Sequence, residues 1–476
     1  MYRPTIGLEI HAELKTQTKM FCECANDPDE TRPNVNVCPI CLAHPGTLPT
    51  INREAVRQVL RIGTALGGTI ADGTEFDRKN YFYPDIPKGY QISQYEHPLV
   101  AGGTLTRVQI TRVHLEEDTA RSIHLPAGKA GAEGKSLVDF NRAGIPLMEL
   151  VTEPVIGDAE TASAFARELQ LLLRTLGAGE ANLEKGEMRI EANISMSRSD
   201  LKKSDSKVRP FGTKVEIKNL NSFRSVERAI AYEIERQTKL IESGGAVAQE
   251  TRGWDEARQA TFHQRFKEGS ADYRYFPEPD LPKLFISEIP EFSPSMLAKS
   301  LPELPWARRA RYAARGLKQS DVEFIIATVT RSTFFDAVLG EIEDQKEVVI
   351  LAANYFVSDL AGEPGTTAPA AFVKLLRMFT NEKLSSRGTK DILARMVEKG
   401  GDPEELARAQ GLIQIHDTSA LEAVVDTILA VEIKAVAEYR AGKQAALEFL
   451  VGKAMKESKG AGNPTSIRNI IIRKLG

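Results

Sequence analysis

The chain has 476 residues, 42% hydrophobic and 27% charged, the proportions of a globular protein with ample material for a large core. A formal charge of −3 excludes bulk charge as a basis for nucleic-acid binding and leaves only a local basic region. No apolar run is long enough to span a bilayer, and the first strand begins too close to Met1 for a leader, so a cytoplasmic location without a membrane partner is expected.

The run Ile6–Leu14 alternates with a period of two: Ile6, Leu8, Ile10, Ala12 and Leu14 share one face, and Glu9, His11 and Glu13 the other. Two carboxylates and an imidazole at every second residue repel unless solvent or a cation lies over them. All four cysteines follow: Cys22 and Cys24 form Cys-x-Cys, and Cys38 and Cys41 form Cys-x-x-Cys, thirteen residues later. This is a four-thiolate zinc pattern; the alternatives are two disulfides or a redox Cys-x-x-Cys. A reducing cytosol disfavours the first, and the second leaves Cys22 and Cys24 without a role.

Asn52 to Gly67 reads as a helix capped by Asn52 and stopped by the glycine pair. Arg78–Gln94, rich in Tyr, Pro, Lys and Asp, reads as a loop serving a site. Val108–His114 is a strand, followed by the acids Glu116, Glu117 and Asp118. The glycine-rich segment 126–136 lacks the glycine that a phosphate loop places four residues before Gly-Lys-Ser, so it reads as a hairpin tip. Asp158 caps a long helix ending at Gly177, and another spans about Val226 to Ile241. Between them, Glu187–Ile194 and Lys214–Lys218 repeat the opening pattern, with Glu191 and Glu216 on polar faces.

A wet outer sheet face explains such strands one at a time. Their recurrence favours a sheet floor on which Glu9, His11, Glu13, Glu116, Glu117, Glu191 and Glu216 converge to hold magnesium and a polyphosphate. Arg252, Arg265, Lys267 and Arg274 supply complementary charge for phosphate oxygens, although each alone also suits a surface ion pair. From Pro290 strand patterns vanish. Helices are expected at about 303–315, 320–339, 368–379, 388–398, 403–410, 419–440, 443–457 and 465–475. Residues 441–476 carry seven basic residues and two acids, a charge that suits either a nucleic-acid grip or a merely soluble end.

Taken together, Ile6–Leu14, the cysteine pairs, Tyr81–Asp85, Lys88–Gln94, Leu115–Asp118, Asp139–Pro146, Glu216–Ser222 and Asp272–Asp280 resemble the GatB subunit of the glutamyl-tRNA(Gln)/aspartyl-tRNA(Asn) amidotransferase over essentially the whole chain. The resemblance implies an α+β protein: an antiparallel-sheet cradle similar to glutamine synthetase at 1–292, an all-helical domain at 293–410 and a helical, tRNA-binding tail at 411–476. It implies a ligase that forms a carbon–nitrogen bond with glutamine as amido donor. ATP phosphorylates the side-chain carboxylate of a misacylated tRNA, and ammonia then displaces the phosphate.

Site roles follow from the same resemblance. Glu9, His11, Glu116, Glu117, Glu191 and Glu216 are expected to hold Mg²⁺, and Cys22, Cys24, Cys38 and Cys41 a structural Zn²⁺. Lys79, Arg252, Arg265 and Lys267 join Glu9, His11, Glu117 and Glu216 in catalysis. Tyr81, Asp85, Lys88, Tyr90, Asn141 and Arg142 line the approach, while Lys453, Lys456, Lys459, Arg468, Arg473 and Lys474 meet RNA. Two motifs depart from the family: Glu187–Glu191 stands for Ser-Met-Arg-Cys-Asp, and Gln264–Glu268 for Met-Arg-Ser-Lys-Glu. The chain has no spare cysteine and no amidase signature, so a separate amidase (glutaminase) subunit and a third, small subunit are implied partners in a heterotrimer.

Overall fold

A computed structural model describes residues 2–124, 135–198, 211–266, 273–342, 345–414, 418–458 and 464–476. The chain forms two compact units, Met1–Leu304 and Pro305–Gly476. The first mixes strands and helices around a large sheet, and the described elements of the second are all helices, which makes the protein α+β.

The first unit opens with β1 (Tyr2–Glu13), α1 (Arg53–Ala65), β2 (Thr69–Ile70), β3 (Gly73–Thr74), β4 (Asp77–Asn80) and β5 (Tyr90–Ser93). It continues through β6 (Val100–Ala101), β7 (Thr104–Leu105), β8 (Val108–Glu117), β9 (Arg121–His124), β10 (Ser136–Asp139) and β11 (Pro146–Thr152). Then come α2 (Ala159–Leu176), β12 (Met188–Arg198), β13 (Val215–Lys218), α3 (Phe223–Glu242), β14 (Glu250–Asp255) and β15 (Ala260–Phe266). The main sheet runs in the order β15-β14-β13-β12-β1-β11-β8-β6-β2, with β7 beside β8. Among the described residues, only its β13–β14 pairing is parallel.

β1 lies in mid-sheet because its apolar face is continuous. Ile6, Leu8, Ile10 and Ala12 are at most 1% exposed and join one core with Phe165, Leu169 and Leu172 of α2 and Val226 and Ile230 of α3. The helices cover that face and leave the acidic one turned away from them. The helix ends follow local chemistry. Asn52 accepts from the Glu54 and Ala55 amides, Asp158 from Thr161, and Ser222 from Ser225, while Gly177 closes α2 in the left-handed region at φ 67°. β8 runs on past His114 to Glu117, so the acids expected to follow the strand lie largely within it. The expected hairpin tip lies mostly outside the described residues, but its flanks, β9 and β10, pair antiparallel.

In the second unit the helix Pro369–Thr380 falls where the sequence places it, and Asp402 caps Pro403–Ala409 through the Glu404 and Glu405 amides. The expected 320–339 helix is two, Gln319–Ile326 and Val329–Glu341, because Thr328 caps a new start. Likewise 419–440 is Thr418–Val431 and Ile433–Arg440, with Glu432 between them. Lys346–Ser358 is a helix the periodicity did not predict: Val348, Val349, Ala352, Ala353, Tyr355 and Phe356 are all buried, which blurs the amphipathic stripe. Residues 421–471 include a separate apolar cluster around Val425, Leu450 and Ile471. Among the described residues no helix is long and apolar enough to cross a membrane.

Candidate metal and phosphoryl site

The register sets the polar floor. His11 pairs with Arg189 on one side and Glu149 on the other, and Glu149 pairs with His114, so four strands place one row across the sheet. One step along, Glu9 stands opposite Glu191, while Glu216 of β13 faces Asn193. Three overlapping sets result: Glu9, His11 and Glu149; His114, Glu116 and Glu149; and Glu9, Glu191 and Glu216. In each, one ligand atom per residue lies within 4.8 Å of the others.

His11 Nε2 lies 3.3 Å from Glu149 Oε2, 3.5 Å from Glu116 Oε1 and 4.0 Å from Glu9 Oε1, and His114 Nε2 is 3.4 Å from Glu149 Oε2. Burial opposes a charge on His11, but the Glu149 hydrogen bond and the surrounding carboxylates override it and hold the imidazole's pKa up at about 9. Burial also works against the Glu149 charge, yet His114 and His11 keep that carboxyl well below its usual range. At Glu9 burial, then Glu149 and Glu191, outweigh the relief from His11 and Lys79 and push its pKa up. Protonated His11 thus supplies part of the positive charge that the acids require.

At the other end of the floor, Lys218 Nζ donates to Glu191 Oε1 at 2.8 Å and Thr251 Oγ1 to Glu216 Oε2 at 2.8 Å. Glu191 Oε2 and Asn193 Oδ1 are buried oxygens without a hydrogen-bond donor among the described residues. Buried acceptors of this kind are rare unless an ion or water satisfies them. Five carboxylates, with orphaned oxygens beside them, are a hard oxygen donor set, and they fit Mg²⁺.

Lys79 of β4 faces the floor, 5.3 Å from the Tyr273 ring centroid. Burial disfavours its charge, but Glu116, Tyr275 and Glu149 outweigh it and raise its pKa. Burial likewise raises the Tyr81 pKa, and Tyr81 packs edge-on against Tyr273 with ring centroids 6.2 Å apart. Tyr90, pushed up to about 12 mainly by burial, lies beneath the Arg78 guanidinium at 4.3 Å. Asp85 Oδ1 is another buried oxygen without a described donor.

Other expected residues lie elsewhere. Glu117 leaves β8 on the side opposite Glu116, because successive strand residues alternate, and there it pairs with Lys88 and accepts from the Ile92 amide at 3.0 Å. Arg252 turns to the helix side of the sheet, donating to Glu250 Oε1 at 2.8 Å and to Thr261, 3.8 Å from buried Glu233 of α3. Asn141 pins the cysteine loop by accepting from the Val35 and Asn36 amides and donating to the Arg32 carbonyl. Arg142 donates to the Thr119 and Ala120 carbonyls and lies 3.6 Å from Asp118. Asp118 also accepts from Arg189 at 2.8 Å; beside it, burial and the Asp118 charge push Glu13 up to about 8. Arg265 stands opposite Thr251 in the register, but its side chain and the whole of Lys267 lie outside the described residues.

In the tail, Lys453, Arg468 and Lys474 pair with Glu432, Glu448 and Asp426 at 2.7, 2.8 and 2.5 Å, and Arg473 pairs with Glu422. Lys456 is exposed, and Lys459 lies outside the described residues. The pairing screens much of the charge that the sequence of this segment carries.

Sequence reasoning missed Glu149 and His114. Their signals were a lone acid inside the apolar run Pro146–Thr152, and the period-two relation of His114 to Glu116. The four cysteines do converge: their Sγ atoms lie within 4.8 Å of one another, and Cys24 and Cys41 are 4.0 Å apart. A hydrogen bond from Cys22 pulls the Cys41 thiol down to about 5, which favours a thiolate.

The family description "GatB/GatE catalytic domain" matches residues 4–290, and "GatB domain" matches 333–475. The chain is 43% identical over 491 positions, covering both chains fully, to the GatB subunit of the aspartyl/glutamyl-tRNA(Asn/Gln) amidotransferase of Thermus thermophilus. The protein of the same name from Synechocystis sp. is 40% identical over 498 positions, covering 100% of this chain and 97% of the relative. The corresponding subunit of the chloroplastic/mitochondrial glutamyl-tRNA(Gln) amidotransferase of Physcomitrium patens is 40% identical over 495 positions, covering 100% and 85%. With catalytic and C-terminal matches in order along one chain, this protein belongs to the GatB/GatE family of amidotransferase subunits.

Proposed function

We propose that the chain carries out the ATP-dependent half of tRNA amidation. It phosphorylates the side-chain carboxylate of Glu-tRNA(Gln), Asp-tRNA(Asn) or both, and ammonia then displaces the phosphate to give the amide. The observation that carries this reading is the floor itself, where Glu9, His11, Glu116, Glu149, Glu191 and Glu216 bring ligand atoms into overlapping sets.

A carboxylate has no leaving group, and phosphorylation provides one. Glu9, Glu191 and Glu216, with His11, Glu116, Glu149 and His114 beside them, would hold Mg²⁺; the ion, when bound, offsets charge on the phosphoryl group in transfer. Lys79, kept charged above the floor, attracts the incoming carboxylate or phosphate oxygens. Tyr81, Tyr273 and Tyr275 surround Lys79 and reduce its access to water. The four cysteines suit a closed zinc site, since all four positions are filled by sulfur.

The wider assembly is part of the same proposal. A glutaminase of the amidase type supplies ammonia, and a third, small protein completes a heterotrimer in the cytoplasm. The cradle is read as a relative of the glutamine synthetase core at 1–292, followed by a helical domain at 293–410 and a tRNA-binding tail at 411–476. The names of the relatives and the order of the motifs support this. The test is Glu9→Gln and Glu216→Gln in the assembled complex, assayed with each misacylated tRNA. Amide formation should be lost while tRNA binding is kept. Full activity in both variants removes the metal site, and activity on free glutamate without tRNA removes the substrate assignment.

A further inference from the structure

Lys19 is 0% exposed and, among the described residues, one of the largest fully buried side chains. Its Nζ donates to the Asn36 carbonyl at 2.7 Å and the Phe140 carbonyl at 3.2 Å, and lies 3.9 Å from Cys41 Sγ. Two carbonyls solvate an ammonium but do not neutralise it, and a buried cation without a counter-charge is costly. Among the described residues, the group of anionic chemistry that Lys19 Nζ contacts is the cysteine cluster. Four thiolates around a divalent ion leave two negative charges, so the cluster needs a cation as much as Lys19 needs an anion. The Cys38 amide donates to Cys41 Sγ at 3.1 Å, which places two donors on the same sulfur.

The position of Lys19 gives this charge a mechanical role as well. Asn36 belongs to the cysteine loop and Phe140 to the turn that leads into β11. That turn includes Gly144, at φ +85°, where an added Cβ would lie 3.5 Å from Lys19 Cδ, 3.7 Å from Cys41 Cβ and 3.9 Å from Glu117 Oε2. A cavity of about 280 Å³ joins the two regions, lined by Cys22, Cys41, Lys88, Tyr90, Glu117 and Gly144 among others. The cysteine loop therefore forms one wall of the pocket that holds the Lys88–Glu117 pair.

We infer that Lys19 is the charge-compensating residue of the four-cysteine site, holding zinc in place and fixing the metal loop against the turn that backs Glu117. This rests on reading the cluster as a zinc site. The full-length chain is compared with Lys19→Met, which keeps the shape of the stem, and Lys19→Arg, which keeps the charge. Zinc content is measured by elemental analysis, and zinc transfer to a chromogenic chelator and cysteine alkylation by iodoacetamide are followed at neutral pH. Lys19→Met should lose zinc about 10–100-fold faster, as expected when a group supporting a metal ligand is removed, and its thiols should alkylate faster. Lys19→Arg should stay close to the parent.

If Lys19→Met folds too poorly to purify, Cys41→His and Lys19→Met/Cys41→His decide the matter. A neutral ligand removes one charge from the cluster, so the double variant should fold and hold zinc about as well as Cys41→His alone. Unchanged zinc transfer in Lys19→Met, equal loss in Lys19→Arg, or failure of the double variant to fold overturns the role of Lys19. A parent chain that purifies without zinc and takes up none overturns the metal reading instead.

Discussion

Glu149→Gln is the substitution to which the proposed site is most sensitive. Glu149 belongs to two of the three ligand sets, and it touches both histidines, at 3.3 Å from His11 and 3.4 Å from His114. At an effective dielectric of about 20, a pair of unit charges at that separation is worth about 5 kcal/mol before desolvation. Gln keeps the shape and removes the charge, so both imidazoles lose the anion that orients them and any ion meets a neutral amide oxygen in place of a carboxylate. Loss of a ligand that also positions two others should weaken Mg²⁺ binding by about 10–100-fold or more, about 1.4–2.7 kcal/mol. The assay is a Mg²⁺ titration of amide formation by the assembled complex, with calorimetric Mg²⁺ binding to the isolated chain. The half-maximal Mg²⁺ concentration should rise by that factor and the plateau should fall, while tRNA binding is kept. A Glu149→Gln variant with the parent's Mg²⁺ midpoint and plateau would refute a metal site centred on this row.

Three other predictions come from the placement of individual groups. Arg252→Ala removes one partner of Glu250 and Thr261, while His263 and Arg236 still hold Glu250 and Arg236 holds Glu233, so it should cost about 1.5–3 kcal/mol in urea unfolding, with turnover per folded molecule nearly unchanged; normal stability with lost turnover would return Arg252 to the phosphate. Glu13 binds its proton more tightly when folded, with a pKa raised from 4.5 to about 8, so its contribution to stability is complete below pH 4.5 and disappears as pH rises through about 8. Glu13→Gln should therefore flatten the fall in thermal midpoint across that interval, and an unaltered pH profile counts against the Glu13–Asp118 pair. Deleting 411–476 should weaken tRNA binding and reduce its salt dependence in filter-binding assays, with identical slopes excluding the tail from recognition. Because Lys453, Arg468, Arg473 and Lys474 are already paired with acids, the slope change should be smaller than seven basic residues suggest.

Much of the floor was legible because strand alternation is a local property. Glu9 and His11 declare their shared face within six residues of sequence, as do Glu191 and Glu216 in their own strands. The cysteine spacing likewise carries its geometry in a short loop. Periodicity alone ends this strand at His114; because β8 continues to Glu117, alternation sends Glu116 to the floor and Glu117 to Lys88. Arg252 and Asn141 carry suitable chemistry for a site, but long-range partners, Glu233 and the cysteine loop, take up their hydrogen bonds.

The sequence alone determined which residues share a strand face, where most helices start and stop, and the family, since each depends on neighbours a few positions apart or on motifs read in order. Only the tertiary structure decided that Glu149 and His114 complete the row and that Lys19 sits buried beside Cys41. Strand order and register bring His11 to Glu149 and Glu9 to Glu191 across more than a hundred positions, and no local pattern encodes which strands become neighbours.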